Sequence, residues 1–257
     1  MIDINERLID AYKNFLDRRS VIAGQVKQER MAPYNWFKLQ DKLSGFWMPY
    51  GTMLDEHCMG IANSINELLR YICDLEAWGG VIKDHDEDSK FEIIVEFISP
   101  IATLAINMPY VVRSRFIYSI VHLCHQCNRT KDANWVDKLP EENEIWMNMT
   151  GKHCSKWKEY AELKAALKKI ANEQFNKDTN DFRNKYNHRY SLGIEFGITE
   201  LVKRREDIGR INYTIGQTNP LKIAQLLPIL NDQHNKCILA FKKYQELVNE
   251  QILAISA

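Results

Sequence analysis

The sequence lacks net charge: 34 Lys and Arg offset 34 Asp and Glu over 257 residues. No global field therefore draws the whole chain to nucleic acid or to a membrane surface, and any such partner must meet a local patch. A long unbroken apolar run is also missing. The most apolar region, Phe91 to Val112, is interrupted by Glu92, Glu96, Pro100 and Asn107, which argues for a pair of core helices over a membrane span. The opening stretch, MIDINERLIDAYKNF, places two acids before its first base and holds no continuous apolar segment. Neither a secretory signal nor a transit peptide is expected, and the expected location is the cytoplasm. Cysteine is scarce, six in all, and in that setting the thiols are expected to stay reduced. No Gly-rich phosphate loop, serine nucleophile elbow or His-Glu-x-x-His helix occurs, which removes the commonest nucleotide-binding and hydrolase classes. No cofactor or metal is expected.

What is present is helical periodicity. Leu8, Tyr12, Phe15, Leu16, Ile22 and Val26 recur at helical spacing, as do Ile61, Ile65, Leu68, Ile72 and Leu75. Alternating strand-like runs are nearly absent. Ser89 with Glu92 reads as a capping box, and Pro109 and Pro220 stand where a first helical turn tolerates a missing N–H. The pattern predicts an all-α bundle of about seven helices, near residues 3–29, 55–78, 90–107, 109–128, 153–176, 180–196 and 220–254. Residues 1–150 read as an N-terminal helical region that packs with the rest or stands as a subdomain. Residues 151–257 form the second half. The expected breaks fall at Met31 to Tyr50, Gly79 to Asp88, Thr130 to Thr150 and Gly209 to Asn219, none with the composition of a flexible linker.

Between Lys152 and Arg210 the chain carries 14 Lys or Arg against nine Asp or Glu. Such an excess is either a solvated helix face or a phosphate-facing surface. Within it lies Asp181-Phe182-Arg183-Asn184-Lys185-Tyr186-Asn187-His188-Arg189-Tyr190, dense in groups that can work on a phosphodiester. A guanidinium is permanently charged and forks onto phosphate oxygens, and an imidazole accepts and returns protons near neutral pH. His188 can take the proton of an RNA 2′-hydroxyl or protonate the departing 5′-oxygen, with Arg183 stabilising charge on the phosphate. Asn184 orients the imidazole or the phosphate, and Lys185 and Arg189 are cations suited to holding substrate. On a straight helix Arg183 and His188 stand roughly 140° apart, Asn184 and His188 are neighbours, and Arg183 nearly eclipses Tyr190.

The run Arg183 to His188, extended by Tyr190, resembles the Arg-polar-x3-His-x-Tyr motif of the HEPN superfamily, α-helical ribonucleases and nucleotide-binding proteins of prokaryotic toxin-antitoxin and phage-defence systems. The resemblance implies an HEPN-like C-terminal half with Arg183 and His188 as catalytic residues. It further implies Tyr190 as a site of modification or support, metal-independent RNA cleavage, a homodimer, and an antitoxin or defence-system partner. A non-catalytic helical interaction or nucleotide-binding protein is the alternative. The two differ in whether Arg183 and His188 stand exposed together.

Other groupings point elsewhere. Arg115 and His122 satisfy the bare Arg-x6-His spacing, but in a helix whose apolar filling reads as core. Cys124 and Cys127 with His122, His125, His153 and Cys154 form a candidate zinc set, set against ordinary use of free cysteine as a small core residue. The missing preceding strand argues against a redox pair. Asp84, Asp86, Glu87 and Asp88 lack the glycine and terminal Glu of a calcium loop and read as a solvated turn. Trp36, Phe37, Phe46, Trp47 and Tyr50 are expected to be buried at helix junctions rather than to stack ligands.

Overall fold

The computed structural model describes residues 4–40, 43, 45, 47–132, 134–190, 192–207, 209–216 and 218–256. The chain is all-α in class. Its helices are α1 (Ile4–Gln25), α2 (Met48–Val81), α3 (Glu87–Ile93), α4 (Ser99–Lys131), α5 (Thr150–Cys154), α6 (Tyr160–Leu167), α7 (Glu173–Asp178), α8 (Phe182–His188) and α9 (Ile223–Ser256). One two-stranded antiparallel ribbon, β1 (Val202–Asp207) and β2 (Arg210–Ile215), joins them, with Val202 opposite Ile215 and Asp207 opposite Arg210. β2 falls in the stretch Gly209 to Asn219 that the sequence presents as a break, and β1 in residues that carry no element signal, because β1 consists almost wholly of charged residues and shows no alternation. β2 does alternate, at Ile211, Tyr213 and Ile215, after a glycine at φ 72°.

Two compact units share the chain, each drawn from three stretches. The first combines residues 1–26, 70–107 and 173–232; the second combines 27–69, 108–172 and 233–257. In the first, the rings of Phe15, Trp78 and Phe97 stack in series, with centroids 4.5 and 4.7 Å apart. Ion pairs tie its edges: Arg7 to Glu92 at 2.9 Å and Arg19 to the nearly buried Asp74 at 2.5 Å. In the second, Leu54, Ile61, Ile65, Phe116, Phe241 and Val248 form an apolar centre. Burial of this kind contributes about 1.5 to 3 kcal/mol per large side chain.

Several expected boundaries move for identifiable reasons. The helical run Glu87–Lys131 is continuous, so Pro109 lies inside α4 and does not start a helix. A π-helical turn, Ile94–Ile98, precedes Pro100, and the Ser99 N–H bonds back to the Ile94 carbonyl. Pro100 has no N–H to continue the α ladder, so the irregularity sits where the donor is missing. By length and composition this run can cross a membrane, with an 18-residue window of mean hydropathy 1.6, a third of it buried. A core helix of a soluble protein meets the same requirement. The expected capping box is replaced: Asp86 is the N-cap and its carboxylate accepts from the Ser89 N–H at 2.9 Å.

The predicted helix over 153–176 is three shorter pieces. Ala171 adopts φ 45°, and its N–H donates to Gln233 Oε1 at 2.7 Å. Arg113 Nη1 holds the carbonyls of Ile170 and Ala171, both at 3.0 Å. These bonds satisfy backbone groups that a helix would otherwise use, and so they stabilise the left-handed turn. The predicted helix over 180–196 shrinks to α8, because Asn180 and Asp181 are both left-handed, at φ 53° and 58°. Asn and Asp tolerate that region better than other side chains with a Cβ. Past α8 the chain is fastened by bridges from Ile194 to Leu221 and from Thr199 to Thr218. Gly193 is required there, since a Cβ would collide with the Phe196 carbonyl. Pro220 does not begin the last helix, which starts at Ile223, where Glu195 Oε1 accepts the first N–H at 2.5 Å.

Candidate functional site

In the first unit, α8 presents the Arg-Asn-x3-His segment. Phe182 is fully buried and stacks on Tyr186, with ring centroids 5.9 Å apart, so one aromatic anchors the helix. Arg183, Asn184, His188 and Arg189 are exposed. Asn184 Nδ2 donates to Asp181 Oδ2 at 3.0 Å, a local bond across the first turn. Lys185 is committed elsewhere: its Nζ pairs with Glu200 Oε2 at 3.0 Å, and that same oxygen accepts from Thr218 Oγ1 at 2.6 Å. Its charge is thus neutralised within the fold, whereas Arg189 meets no carboxylate among the described residues.

The helix ends at His188, and the Arg189 N–H closes it onto the Lys185 carbonyl. Tyr190 therefore lies beyond the helix, 80% exposed, and the expected helical alignment of Arg183 with Tyr190 does not form. Arg183, Asn184 and His188 share a single two-turn helix, but none of them lines the cleft described below. Chemically, the exposed segment offers a permanent cation and an imidazole on an anchored support.

In the second unit the thiols and the imidazoles of His125, His153 and His234 are buried, and His57 and His122 are half-buried. His57 and His122 lie with ring centroids 6.2 Å apart, and His125 and His153 at 5.8 Å. Desolvation pushes His57 down to about 4, with the neighbouring His122 adding to it, and burial likewise lowers His122 and His153. His234, fully buried, is held near 4 by desolvation and by the nearby Arg30 charge. His57, His122, His153 and His234 are therefore neutral at neutral pH.

The cysteines behave as core. Cys124 Sγ accepts from Gln251 Nε2 at 3.2 Å, and Cys154 donates to the Ile120 carbonyl at 3.5 Å. Burial raises the Cys124 and Cys127 thiols, which disfavours the thiolate a metal ligand or redox nucleophile needs. Among the described residues no group of three or more His, Cys, Asp or Glu is arranged to hold a metal ion. Tyr50 and Tyr244 are buried, bonded to Gln251 at 2.9 Å and to Ser119 at 2.8 Å. The aromatic segment joins this packing: Trp36 lies edge-on to Phe37, Phe241 and Tyr244, and Trp47 to Tyr50. Phe46 lies outside the described residues.

No family model, curated protein or solved structure matches this chain.

Proposed function

We propose that this chain is a metal-independent endoribonuclease of HEPN type, acting in the cytoplasm as a homodimer within a phage-defence or toxin-antitoxin module. The observation that carries the reading is the joint exposure of Arg183 and His188 on α8, a helix anchored from beneath by buried Phe182. A residue that must meet a phosphodiester has to be reachable, and both side chains are exposed. In the proposed reaction His188 takes the 2′-hydroxyl proton, and the 2′-oxygen attacks phosphorus as the bond to the 5′-oxygen breaks. The departing 5′-oxygen takes a proton from water as His188 returns its own to solvent, and the products are a 2′,3′-cyclic phosphate and a 5′-hydroxyl. Arg183 stabilises the charge gathering on the non-bridging oxygens. Asn184 positions the site, Arg189 holds the RNA backbone, and Tyr190 is open to modification.

The alternative, a non-catalytic helical interaction or nucleotide-binding protein, draws support from Lys185, whose charge is held by Glu200 rather than offered to a substrate. RNA cleavage in EDTA by the wild type and by Arg183→Ala and His188→Ala separates the two. Cutting by the wild type alone, with cyclic phosphate ends, supports the nuclease. Absence of cutting across diverse RNAs, or undiminished cutting by the variants, overturns it.

A further inference from the structure

A cleft of about 410 Å³ in the second unit is formed by two helices: α2 contributes Glu56, His57, Gly60 and Ile61, and α4 contributes Ser114, Arg115 and Tyr118. Its charges are unlike at the two helices. Arg115 is fixed through Nη1, which donates to the Gly60 carbonyl at 2.8 Å and to the Ser64 hydroxyl. Among the described residues no carboxylate meets Arg115, so its remaining N–H groups keep their capacity to fork onto an oxyanion. Glu56 likewise forms no hydrogen bond or ion pair among the described residues and can accept from a cation.

The rest of the lining carries no charge: the rings of Tyr118 and His57, with Gly60, Ile61 and Ser114. Tyr118 is pinned by its hydroxyl, which donates to Glu142 Oε1 at 3.0 Å, and its ring meets the edge of His57 at 5.5 Å. His57 Nδ1 is buried with no hydrogen-bond partner. Gly60 adds a further sign: a Cβ there would touch nothing within 4 Å, so packing does not demand a glycine in the middle of this helix. The space beside it is open.

One fixed cation, one carboxylate without a partner among the described residues and an uncharged remainder that includes two rings sum to no net charge. A phosphate would meet repulsion from Glu56, and a simple amine would meet it from Arg115. We propose that this cleft binds a zwitterionic small molecule, an α-amino acid with a planar side chain. The carboxylate goes to Arg115, the ammonium to Glu56, and the side chain lies against Tyr118 and His57. The inference is independent of RNA cleavage by α8.

Calorimetric titration of the full chain tests it with L-phenylalanine, L-tryptophan and L-histidine. Phenethylamine, which lacks the carboxylate, 3-phenylpropionate, which lacks the ammonium, and inorganic phosphate serve as comparisons. Saturable binding of at least one of the three amino acids, with phenethylamine and 3-phenylpropionate at least about tenfold weaker than L-phenylalanine, supports the proposal; tenfold corresponds to about 1.4 kcal/mol. Glu56→Gln, a change at an exposed position, should erase the preference of L-phenylalanine over 3-phenylpropionate. Gly60→Leu, directed into open space, should block binding while thermal unfolding shows the fold retained. Equal binding of the singly charged analogues, preference for phosphate, or no saturable heat with any of the three amino acids overturns it.

Discussion

His188 on α8 of the first unit and the five histidines of the second are used in opposite ways. In the second, His57, His122, His125, His153 and His234 each keep at least one ring nitrogen buried and without a hydrogen-bond partner. In the first, His188 stands exposed at the end of α8. Burial suppresses ionisation, so an imidazole within a core serves packing and resists protonation. An exposed imidazole costs the fold little and remains available for proton transfer. The same division holds for the other polar groups. Tyr50, Tyr244, Ser119 and Gln251 satisfy one another inside the second unit, whereas Asn184 keeps a local bond to Asp181 and the side chains of Arg183, Arg189 and Tyr190 are exposed.

The comparison is broken most directly by Tyr244→Ala. If the buried polar web holds the second unit together, urea unfolding should show a loss of about 3 to 5 kcal/mol, the cost of truncating a large buried ring. A loss under about 1 kcal/mol would place that web outside the stabilising core. Acid comes next. His57 and His234 titrate near 4 when folded and near the ordinary 6.5 when unfolded. Between those values the unfolded chain binds protons that the folded chain refuses. Stability present above pH 6.5 should therefore be lost as the pH falls towards 4, by about 1.4 kcal/mol per unit of pKa difference for each fully shifted group. The thermal midpoint over pH 4 to 8 checks this, and a flat profile would contradict it.

Within α8 itself, Lys185 and Asn184 sharpen the contrast. Lys185→Ala removes the partner of the half-buried Glu200, and because Thr218 still donates to that carboxylate the expected loss is about 1 kcal/mol. Asn184→Ala breaks only an exposed bond to Asp181, and its effect on stability should stay within about 0.5 kcal/mol. Denaturation midpoints of the two variants should fall in that order. If the two ranked the other way, the anchoring assigned to Lys185 would be mistaken.

How far these features could be read from the chain depends on whether their cause is local. The long helices α1, α2 and α9 announce themselves, because an apolar stripe of period 3.6 is a property of consecutive residues. The fragmentation between residues 150 and 190 was hidden. It depends on Arg113 and Gln233 reaching Ala171 from distant parts of the chain, and on Asn180 and Asp181 adopting left-handed backbone that their sequence permits without requiring. Pro109 misled in the other direction: proline favours a first turn, yet the packing of α4 carries the helix through it. The interleaving of the two units is likewise a matter of contacts between remote segments.

The candidate sites divide in the same manner. The α8 segment is contiguous and its residues could be named from spacing alone. The cleft of Glu56, His57, Arg115 and Tyr118 joins helices more than fifty residues apart in sequence. Its trace was the Arg115 to His122 spacing, set aside because the residues around it are apolar. Ile117 and Ile120 are indeed buried, but Arg115 emerges on the opposite, exposed side of α4.

The most direct measurement sets RNA cleavage beside urea unfolding for the wild type and His188→Ala. The account predicts cleavage lowered by on the order of 10² to 10⁴-fold, with the unfolding free energy unchanged within about 0.5 kcal/mol. Equal cleavage by both proteins, or a loss of cleavage matched by a loss of fold, would contradict the claim that α8 carries chemistry and not structure.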